Sequence, residues 1–451
     1  MRLAQITDLH ARHHLPGSSS NTDRESRWML ELLPRAIERC KAEGAEMLLL
    51  TGDLLDVPLW LYEPMRGFEL DEPGWWKGAA IADYREIKRI LDASGLPYLV
   101  LPGNHDAAQW MWEVFDPDAD AHEAGGLRVV QFVDYEHACH VPRRYHPTRH
   151  RWLAELESLQ DPAALPQVHA QHYVITPELN ERYSHTYEDA ADLLQRNADA
   201  GRVRLSLSGH YHPGTELLHE GGVAYATCPA FCEPPFPFRL FDVTPDPAQP
   251  VGMTRLELGE DARPRRPVVY LDRDGVITSP ARYYYGPERI ELLPGAAPAI
   301  RRLNDAGFAV VVVSNQTNVG MGFVPRDIMN AVNDKFQRLL MREAGAVIDR
   351  VYPCTDAGER NILPGYRDRL RPKPDPHMLQ VAAQELRLDA AGGVFVGDRT
   401  SDAQTAAHFG ITPVLVRTGL GAAHEADFRR RFPDAPVHED LPAVVEALLS
   451  G

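Results

Sequence analysis

The chain has 451 residues, which is too many for one ordinary hydrophobic core and predicts two domains. Apolar residues make up 44% and charged residues 25%, so the composition excludes a disordered or fibrous chain. A formal net charge of -17 disfavours attraction to nucleic acid over the whole surface, because such binding requires clustered Lys and Arg.

The opening residues, the apolar runs and the cysteines together predict a cytoplasmic protein. MRLAQITDLH leads directly into a strand and a polar motif, so we expect no export signal. The longest apolar runs, such as residues 47–50 and 309–313, are far shorter than the roughly 20 residues that cross a bilayer, so we expect no membrane protein. Five scattered cysteines indicate a reducing compartment rather than a disulfide framework.

In the first half of the chain, short apolar runs with the character of strands each end in a polar motif. Residues 3–6 precede Asp8, residues 47–50 precede Asp53, and a similar run precedes Asn104. Amphipathic helical stretches follow these motifs, and this rhythm predicts a layered α/β or αββα fold. Polar clusters at the ends of strands are the usual place for functional sites in α/β folds.

These polar motifs carry a set of metal ligands. The segments ITDLH, TGDLLD, PGNHD, QHY and SGHYH contain Asp8, His10, Asp53, Asn104, His105, His172, His210 and His212. Carboxylate, imidazole and amide oxygen groups suit a pair of transition-metal or similar divalent ions. Two such ions roughly 4 Å apart can clamp a phosphate group and activate a water molecule. Hydrolysis of a phosphate ester by these residues therefore has a physical rationale.

The order of these motifs resembles the calcineurin-like metallophosphoesterases, over roughly residues 1–258. The resemblance implies two ions, each manganese, iron, zinc or cobalt, with Asp53 bridging them. One ion would be held by Asp8, His10 and His212, and the other by Asn104, His172 and His210. It also implies that His105 contacts the phosphate or protonates the leaving oxygen.

The assignment of His172 has a rival in His169, three residues earlier. Calcineurin-like enzymes usually have paired histidines at this motif, whereas this chain has Tyr173 in the second position. The spacing after the strand-like run favours His172.

Two further features of this half have both a structural and a functional interpretation. Tryptophans cluster between or just after the second and third motifs, at Trp60, Trp75, Trp76, Trp110 and Trp112. They either pack an insertion or stack a base or sugar at the rim of the site. Residues 137–152 include Arg143, Arg144, Arg149 and Arg151, and form either a solvated loop or a nucleic-acid contact.

Near residue 262 the chain becomes rich in proline and charge and loses its periodicity, as at a joint between domains. We therefore predict one domain at residues 1–260 and another at residues 266–451. Beyond the joint, apolar runs such as residues 268–271 and 310–313 are nearly continuous. This pattern predicts the buried strands of a parallel sheet.

The second half carries carboxylates placed for phosphoryl transfer. Asp272 and Asp274 directly follow an apolar run in VVYLDRDGVIT, and they would repel each other unless a cation lies between them or one is protonated. The later polar motifs contain Ser314, Asn315, Lys373, Asp398 and Asp402. In this order the motifs resemble those of the haloacid dehalogenase superfamily phosphatases, over roughly residues 267–440.

This second resemblance implies a Rossmann-like domain with a covalent mechanism. Asp272 would be the nucleophile that forms an aspartyl-phosphate, and Asp274 would protonate the leaving group and then activate water. Ser314 and Lys373 would hold the phosphoryl oxygens, with Asn315 as a helper.

The same resemblance implies that magnesium is bound by Asp272, Asp398 and the backbone carbonyl of Asp274, with Asp402 supporting it. Insertions between the motifs are too short for a large cap domain, so we expect an open site. The motifs look most like the histidinol phosphatase and heptose bisphosphate phosphatase branch, which often carries a Cys/His zinc loop. Only Cys354 stands in the corresponding stretch, and we therefore expect no structural zinc.

The leading hypothesis is a bifunctional phosphohydrolase that acts on a small phosphorylated metabolite, such as a phosphosugar or nucleotide. An alternative is an enzyme that heals DNA or RNA ends with a phosphodiesterase and a 3'-phosphatase, because an open site accepts a large substrate. A third alternative is that one half is catalytic and the other is a regulatory or binding module. The motifs favour hydrolysis in both halves, but they fix the chemistry better than the substrate.

Overall fold

A computed structural model describes residues 1–18, 24–58, 73–137, 140–181, 183–280, 286–363 and 365–450. Contacts divide the chain into two compact units, one built from Met1–Leu15 and Asp23–Ala262 and the other including Arg263–Gly451. Within the described ranges, no helix is long and apolar enough to cross a membrane.

The first unit alternates strands and helices. Its strands are β1 (Arg2–Ile6), β2 (Met47–Thr51), β3 (Tyr98–Leu101), β4 (Ala121–Ala124), β5 (Leu127–Phe132), β6 (Tyr135–His137), β7 (Val141–Arg143), β8 (Gln167–Gln171), β9 (Val203–Ser208), β10 (Leu218–Glu220), β11 (Val223–Thr227), β12 (Pro237–Asp242) and β13 (Gly252–Glu257). Its helices are α1 (Met29–Ala42), α2 (Pro73–Ser94), α3 (Ala108–Met111), α4 (Thr148–Ser158) and α5 (Ala190–Ala200).

These strands form two sheets, in the orders β13-β12-β1-β2-β3 and β10-β11-β9-β8-β5-β4, beside the hairpin β6-β7. The inner faces of the two sheets pack together through side chains such as Leu49, Leu101, Val168 and Leu207. Helices α1 and α2 cover the outer face of the first sheet, while α4 and α5 cover that of the second. This four-layer order confirms the predicted αββα sandwich.

The second unit has the strands β14 (Arg266–Leu271), β15 (Ala309–Asn315), β16 (Arg350–Cys354), β17 (Leu388–Gly397), β18 (Thr412–Val416) and β19 (Val437–His438). Its helices are α6 (Ala296–Asp305), α7 (Thr317–Gly320), α8 (Arg326–Ala344), α9 (His377–Glu385), α10 (Thr400–Phe409), α11 (Gly421–Arg431) and α12 (Leu441–Ser450). The strands form one parallel sheet in the order β16-β15-β14-β17-β18-β19.

Both faces of this sheet are covered by helices, which explains why its strands are almost continuously apolar. Helices α6, α8 and α12 pack on one face, and α9 and α10 pack on the other. Between β14 and α6, the described residues form isolated bridges and one 3-10 turn, Pro287–Arg289. The predicted Rossmann-like parallel sheet is confirmed.

Candidate active sites

The predicted donors of the first unit lie on loops at the carboxyl ends of parallel strands. Asp8 and His10 follow β1, and Asp53 follows β2. His172 follows β8, and His210 follows β9 in the other sheet. Carboxyl ends of parallel strands meet at one edge of a sheet, so the fold brings distant parts of the sequence together.

Asp8, His10 and His212 form one group of donors. Each offers a ligand atom, and these atoms lie within 4.8 Å of one another. The Nε2 atoms of His10 and His212 are 3.2 Å apart, and Asp8 Oδ1 is 3.7 Å from His212 Nε2. Imidazole nitrogens and a carboxylate that converge in this way can share one cation.

A second group consists of Asp53, His172 and His210, whose ligand atoms also lie within 4.8 Å of one another. Asn104 Oδ1 joins this group, 3.1 Å from His172 Nε2. Asp53 Oδ2 is 3.5 Å from His172 Nε2 and also 3.5 Å from His10 Nε2 in the first group. Asp53 therefore lies where one carboxylate could touch two neighbouring ions.

The backbone at these donors is held in an unusual conformation. Asp8, His10, Asp53 and His210 all have positive φ angles, from 44° to 69°. Residues other than glycine rarely adopt this left-handed region, and such strain collects at functional sites. A Cβ atom at Gly103 would lie only 2.2 Å from Asp53 Oδ1, so glycine is required for this close approach.

The chemistry of the donors fits divalent cations. Asp8 Oδ1 and His210 Nε2 are buried and have no hydrogen-bond partner among the described residues. Buried polar atoms without a partner are costly unless a ligand satisfies them. Burial lowers the pKa of His10 and of His210 well below the usual value, so both imidazoles are neutral and can offer a lone pair.

Asp53 and His172 carry complementary charges. Burial alone would raise the pKa of Asp53, but His172 and His105 outweigh it and hold that pKa well below its usual range. Burial would lower the pKa of His172, but the charges of Asp53 and Asp8 raise it to about 9. The carboxylates thus attract positive charge to this position, which a divalent cation also provides.

His105 is oriented by a carboxylate that the sequence interpretation overlooked. Its Nδ1 lies 2.8 Å from Asp56 Oδ1, and its backbone N–H donates to Asp53 Oδ1 over 2.8 Å. Asp56 is buried and is also paired with Arg12 and Arg24, each 3.0 Å away. The available signal was the second aspartate of TGDLLD, three residues after Asp53.

Glu233 and Tyr173 contact the imidazoles of the two donor groups. His212 Nδ1 lies 2.6 Å from Glu233 Oε1, which leaves Nε2 to face the donor group. The ring of Tyr173 packs against both His172 and His210, with centroids 5.0 and 4.9 Å away. His169, the rival of His172, is buried beside Gln167, with 2.8 Å between His169 Nε2 and Gln167 Oε1.

The described tryptophans of the insertion contribute to packing. Trp76 is buried in the core formed with α1 and α2, and Trp75, Trp110 and Trp112 pack against the same core. These contacts agree with the structural interpretation of the cluster, while Trp60 lies outside the described residues.

The arginines of residues 137–152 are each paired with carboxylates. Arg144 and Asp134 are fully buried together, with 2.9 Å between the guanidinium and the carboxylate. The remaining pairs are Arg143 with Glu188, Arg149 with Asp189 and Asp192, and Arg151 with Asp120. Because each positive charge has a negative partner, the segment does not form a basic patch of the kind that nucleic acid requires.

The candidate site of the second unit surrounds a buried lysine. Lys373 Nζ lies 2.9 Å from Asp272 Oδ1 and 2.7 Å from Asp402 Oδ1, and it donates to the carbonyl of Val313 over 3.2 Å. Burial raises the pKa of Asp272 to about 7, an effect that Lys373 opposes and Asp402 and Asp398 reinforce. The lysine therefore favours the ionised form that a nucleophilic carboxylate needs.

A cation position lies beside this lysine. Ligand atoms of Asp272, Asp398 and Asp402 lie within 4.8 Å of one another. Asp398 Oδ1 is buried and accepts no hydrogen bond from the described residues. Three carboxylates at this distance repel one another unless positive charge is present, and an oxygen-only donor set suits magnesium. Gly275 makes room for Asp398, because a Cβ atom there would lie 2.2 Å from Asp398 Oδ2.

Asp274 is fixed by its neighbours. Its carboxylate accepts hydrogen bonds from the Arg273 guanidinium over 3.0 and 2.8 Å and from the Thr278 hydroxyl over 3.2 Å. The side-chain amide of Gln316 donates to Ser314 Oγ over 2.7 Å and approaches Asp274 Oδ2 at 3.3 Å. Gln316 therefore links Asp274 and Ser314, a connection that its place in SNQT could have suggested.

Asn315 contacts the lysine segment with both ends of its amide. Its Nδ2 donates to the carbonyl of Lys373 over 3.1 Å, and its Oδ1 accepts the N–H of Lys373 over 2.9 Å. Asn315 would therefore assist phosphate binding indirectly, by holding Lys373 in place. Cys354, which precedes the Lys373 segment in the chain, is buried, and its thiol donates to the carbonyl of Leu370 over 3.3 Å.

Comparisons with known proteins place both halves among phosphate ester hydrolases. The family model for calcineurin-like phosphoesterases matches residues 1–214, and the model for HAD-hydrolase-like proteins matches residues 370–444. The D-glycero-D-manno-heptose-1,7-bisphosphate 7-phosphatase of Thermosynechococcus vestitus is 37% identical over 185 residues, which are 40% of this chain and 94% of that relative.

Two solved structures are also similar. The D,D-heptose 1,7-bisphosphate phosphatase from Bordetella bronchiseptica, complexed with magnesium and phosphate, is 34% identical with a TM-score of 0.37, and the match covers 41% of this chain and 98% of that one. A dimetal phosphatase from Danio rerio is 15% identical with a TM-score of 0.45, and the match covers 58% of this chain and 97% of that one.

Proposed function

Because the chain belongs to the calcineurin-like phosphoesterases and to the haloacid dehalogenase-like phosphatases, and is therefore a phosphohydrolase, we propose that both of its sites are active. We assign the sites to domains at residues 1–260 and 266–451. The observation that carries this proposal is that each unit gathers a set of buried donors with unsatisfied atoms, at Asp8 Oδ1 and His210 Nε2 in one and at Asp398 Oδ1 in the other.

The two donor groups of the first site would hold two divalent ions such as manganese, iron, zinc or cobalt, which would supply Lewis acidity toward the phosphate ester and the attacking water. The protein supplies the fixed positions of Asp53 and of the two donor groups. His105 would donate a proton to the leaving oxygen, and Asp56 would hold its ring in the required tautomer.

In the second site, where magnesium would neutralise the phosphate oxygens, Asp272 would attack phosphorus through a carboxylate oxygen. The bond between phosphorus and the ester oxygen breaks as Asp274 gives that oxygen a proton. Asp274 then takes a proton from water as the water attacks the aspartyl-phosphate, which releases phosphate and restores Asp272. Lys373 and Ser314 would hold the phosphoryl oxygens during both steps.

The substrate that these observations favour is a small phosphorylated metabolite. For the second site, similarity to heptose bisphosphate phosphatases supports a sugar phosphate as the substrate. The paired arginines of residues 137–152 remove one argument for binding DNA or RNA ends. A small phosphorylated molecule can be bound by the cations within each site and does not require a basic surface patch.

Separate inactivation of the two sites tests this proposal. Asp53→Asn and Asp272→Asn should each abolish one activity and spare the other, measured with an aryl phosphate, an aryl diester and a panel of sugar phosphates and nucleotides. Asp118→Asn and Asp389→Asn, at exposed positions in the respective units, are matched controls that should leave both activities unchanged. If either site variant retains every activity, that unit is a passive module and the proposal is wrong.

A further inference from the structure

An aromatic wall stands beside the second donor group of the first unit, and we define it as Tyr183, His185 and Tyr211. The ring centroids of His185 and Tyr183 lie 5.0 and 5.6 Å from that of His210. Tyr211 extends the wall, with its centroid 5.2 Å from that of His185. All three residues of the wall are partly exposed, whereas His210 is buried. The wall therefore offers ring surface next to His210, a predicted ligand of the first site.

The aromatic wall is held rigidly by its surroundings. The carbonyl of His185 accepts the N–H of Val174 over 3.1 Å, which fixes the loop to the segment that follows β8. The Tyr183 hydroxyl donates to Glu136 Oε1 over 2.8 Å, and the other oxygen of Glu136 lies 2.9 Å from His140 Nδ1. Rings that are already fixed lose little conformational entropy when a ligand stacks on them.

The charge beside the aromatic wall disfavours a second anion on the ligand. Glu136 accepts a hydrogen bond from the Tyr183 hydroxyl over 2.8 Å, and its carboxylate would repel a second phosphate or a carboxylate. Flat ring surfaces next to a polar site are suited to stacking on a planar ring.

We propose that the aromatic wall is a subsite for an uncharged planar ring, such as a nucleobase or an aryl group, carried by the substrate beside the phosphate that is hydrolysed. This inference rests on the proposed phosphoesterase function of the first site. It narrows the substrate of that site to ring-bearing esters, in contrast to open-chain phosphates or bisphosphates.

Competitive inhibition tests the proposal with paired probes. In an Asp272→Asn background, hydrolysis of p-nitrophenyl phosphate reports on the first site, and phenylphosphonate, propylphosphonate and inorganic phosphate serve as inhibitors. Phenylphosphonate should inhibit about tenfold more tightly than propylphosphonate, since stacking of a ring is worth about 1.4 kcal/mol or more. Equal inhibition by the two phosphonates would overturn the proposal.

Substitutions in the aromatic wall locate the ring. His185→Leu and Tyr183→Leu should each reduce the preference for phenylphosphonate to about twofold or less and leave inhibition by inorganic phosphate unchanged. Tyr183→Phe keeps the ring and should retain the preference, as should Tyr145→Leu, an exposed aromatic residue elsewhere in the unit.

The outcomes separate the subsite from the function on which it rests. If both leucine variants keep the full preference, the ring binds elsewhere and the proposal is wrong. If they weaken phosphate and both phosphonates equally, the aromatic wall only supports the metal ligands. If the Asp272→Asn background hydrolyses no p-nitrophenyl phosphate and binds no phosphate, the phosphoesterase function itself fails, and the subsite fails with it.

Discussion

The two candidate sites are built from different donors. The first unit gathers imidazoles around Asp8 and Asp53. Burial lowers the pKa of His10 and His210, whereas the charges of Asp53 and Asp8 raise the pKa of His172. The second unit gathers only carboxylates and balances them with the buried Lys373. In the first site positive charge would come from His172 and from bound metal ions, whereas the second site carries the permanent cation Lys373.

The two sites also differ in which residues have a left-handed backbone conformation. In the first unit the donors Asp8, His10, Asp53 and His210 themselves adopt left-handed conformations. In the second unit the left-handed positions beside Asp398 are Gly275 and Gly419, and Asp398 itself directly follows β17. Backbone strain is therefore placed on the ligands in one site and avoided by glycine in the other.

Metal exchange should produce the largest effect and the sharpest separation of the sites. Removal of divalent ions by a chelator should reduce both activities to the background rate, because each site contains carboxylates that require positive charge. Magnesium alone should restore the activity that Asp272→Asn removes, and manganese should be needed for the activity that Asp53→Asn removes. Restoration of both activities by magnesium alone would show that the imidazoles do not select the ion.

Replacing the permanent cation should have the next largest effect. Lys373→Met keeps the length of the side chain but leaves Asp272 and Asp402 without their ammonium partner, so we expect kcat of the second site to fall about 10²- to 10³-fold. The pH at which Asp272 ionises should rise, because Lys373 opposes the effect of burial on its pKa. The pH dependence of aryl phosphate hydrolysis in an Asp53→Asn background measures both effects.

A matched control for this change is Lys335→Met on α8, which should leave the rate of the second site unchanged. A Lys373→Met variant with normal kcat and an unchanged pH profile would mean that magnesium alone supplies the charge. The contrast between a site with a permanent cation and a site without one would then be wrong.

The fold was predictable because the chain marks its strands clearly. Apolar runs such as β2 and β15 are buried throughout, and each ends in a polar motif, so the sequence alone indicated both units and the location of their sites. The chosen ligands His172 and His210 also lie together in the structure. Motif order carries this information because parallel strands present their carboxyl ends at one edge.

The groups that orient the ligands could not be predicted in the same way. Glu233 reaches His212 from 21 residues further along the chain, and nothing in its neighbourhood resembles a motif. The pairing of Arg144 with Asp134 was hidden because arginine-rich segments look alike whether they are buried or exposed. Such contacts depend on tertiary packing, which local patterns do not encode.

The smallest effect is expected for Asp56, a carboxylate that orients His105 and is not itself a predicted metal ligand. Asp56→Asn keeps the size of the side chain and removes the charge that fixes the tautomer of His105, so kcat of the first site should fall about 10- to 100-fold with little change in KM. Arg12 and Arg24 would lose their shared partner as well, so metal affinity should be measured beside the rate. Retention of metal binding with a lowered kcat would indicate that Asp56 acts through His105, because a merely structural defect would weaken both. An unchanged kcat would show instead that the orientation of His105 does not depend on Asp56.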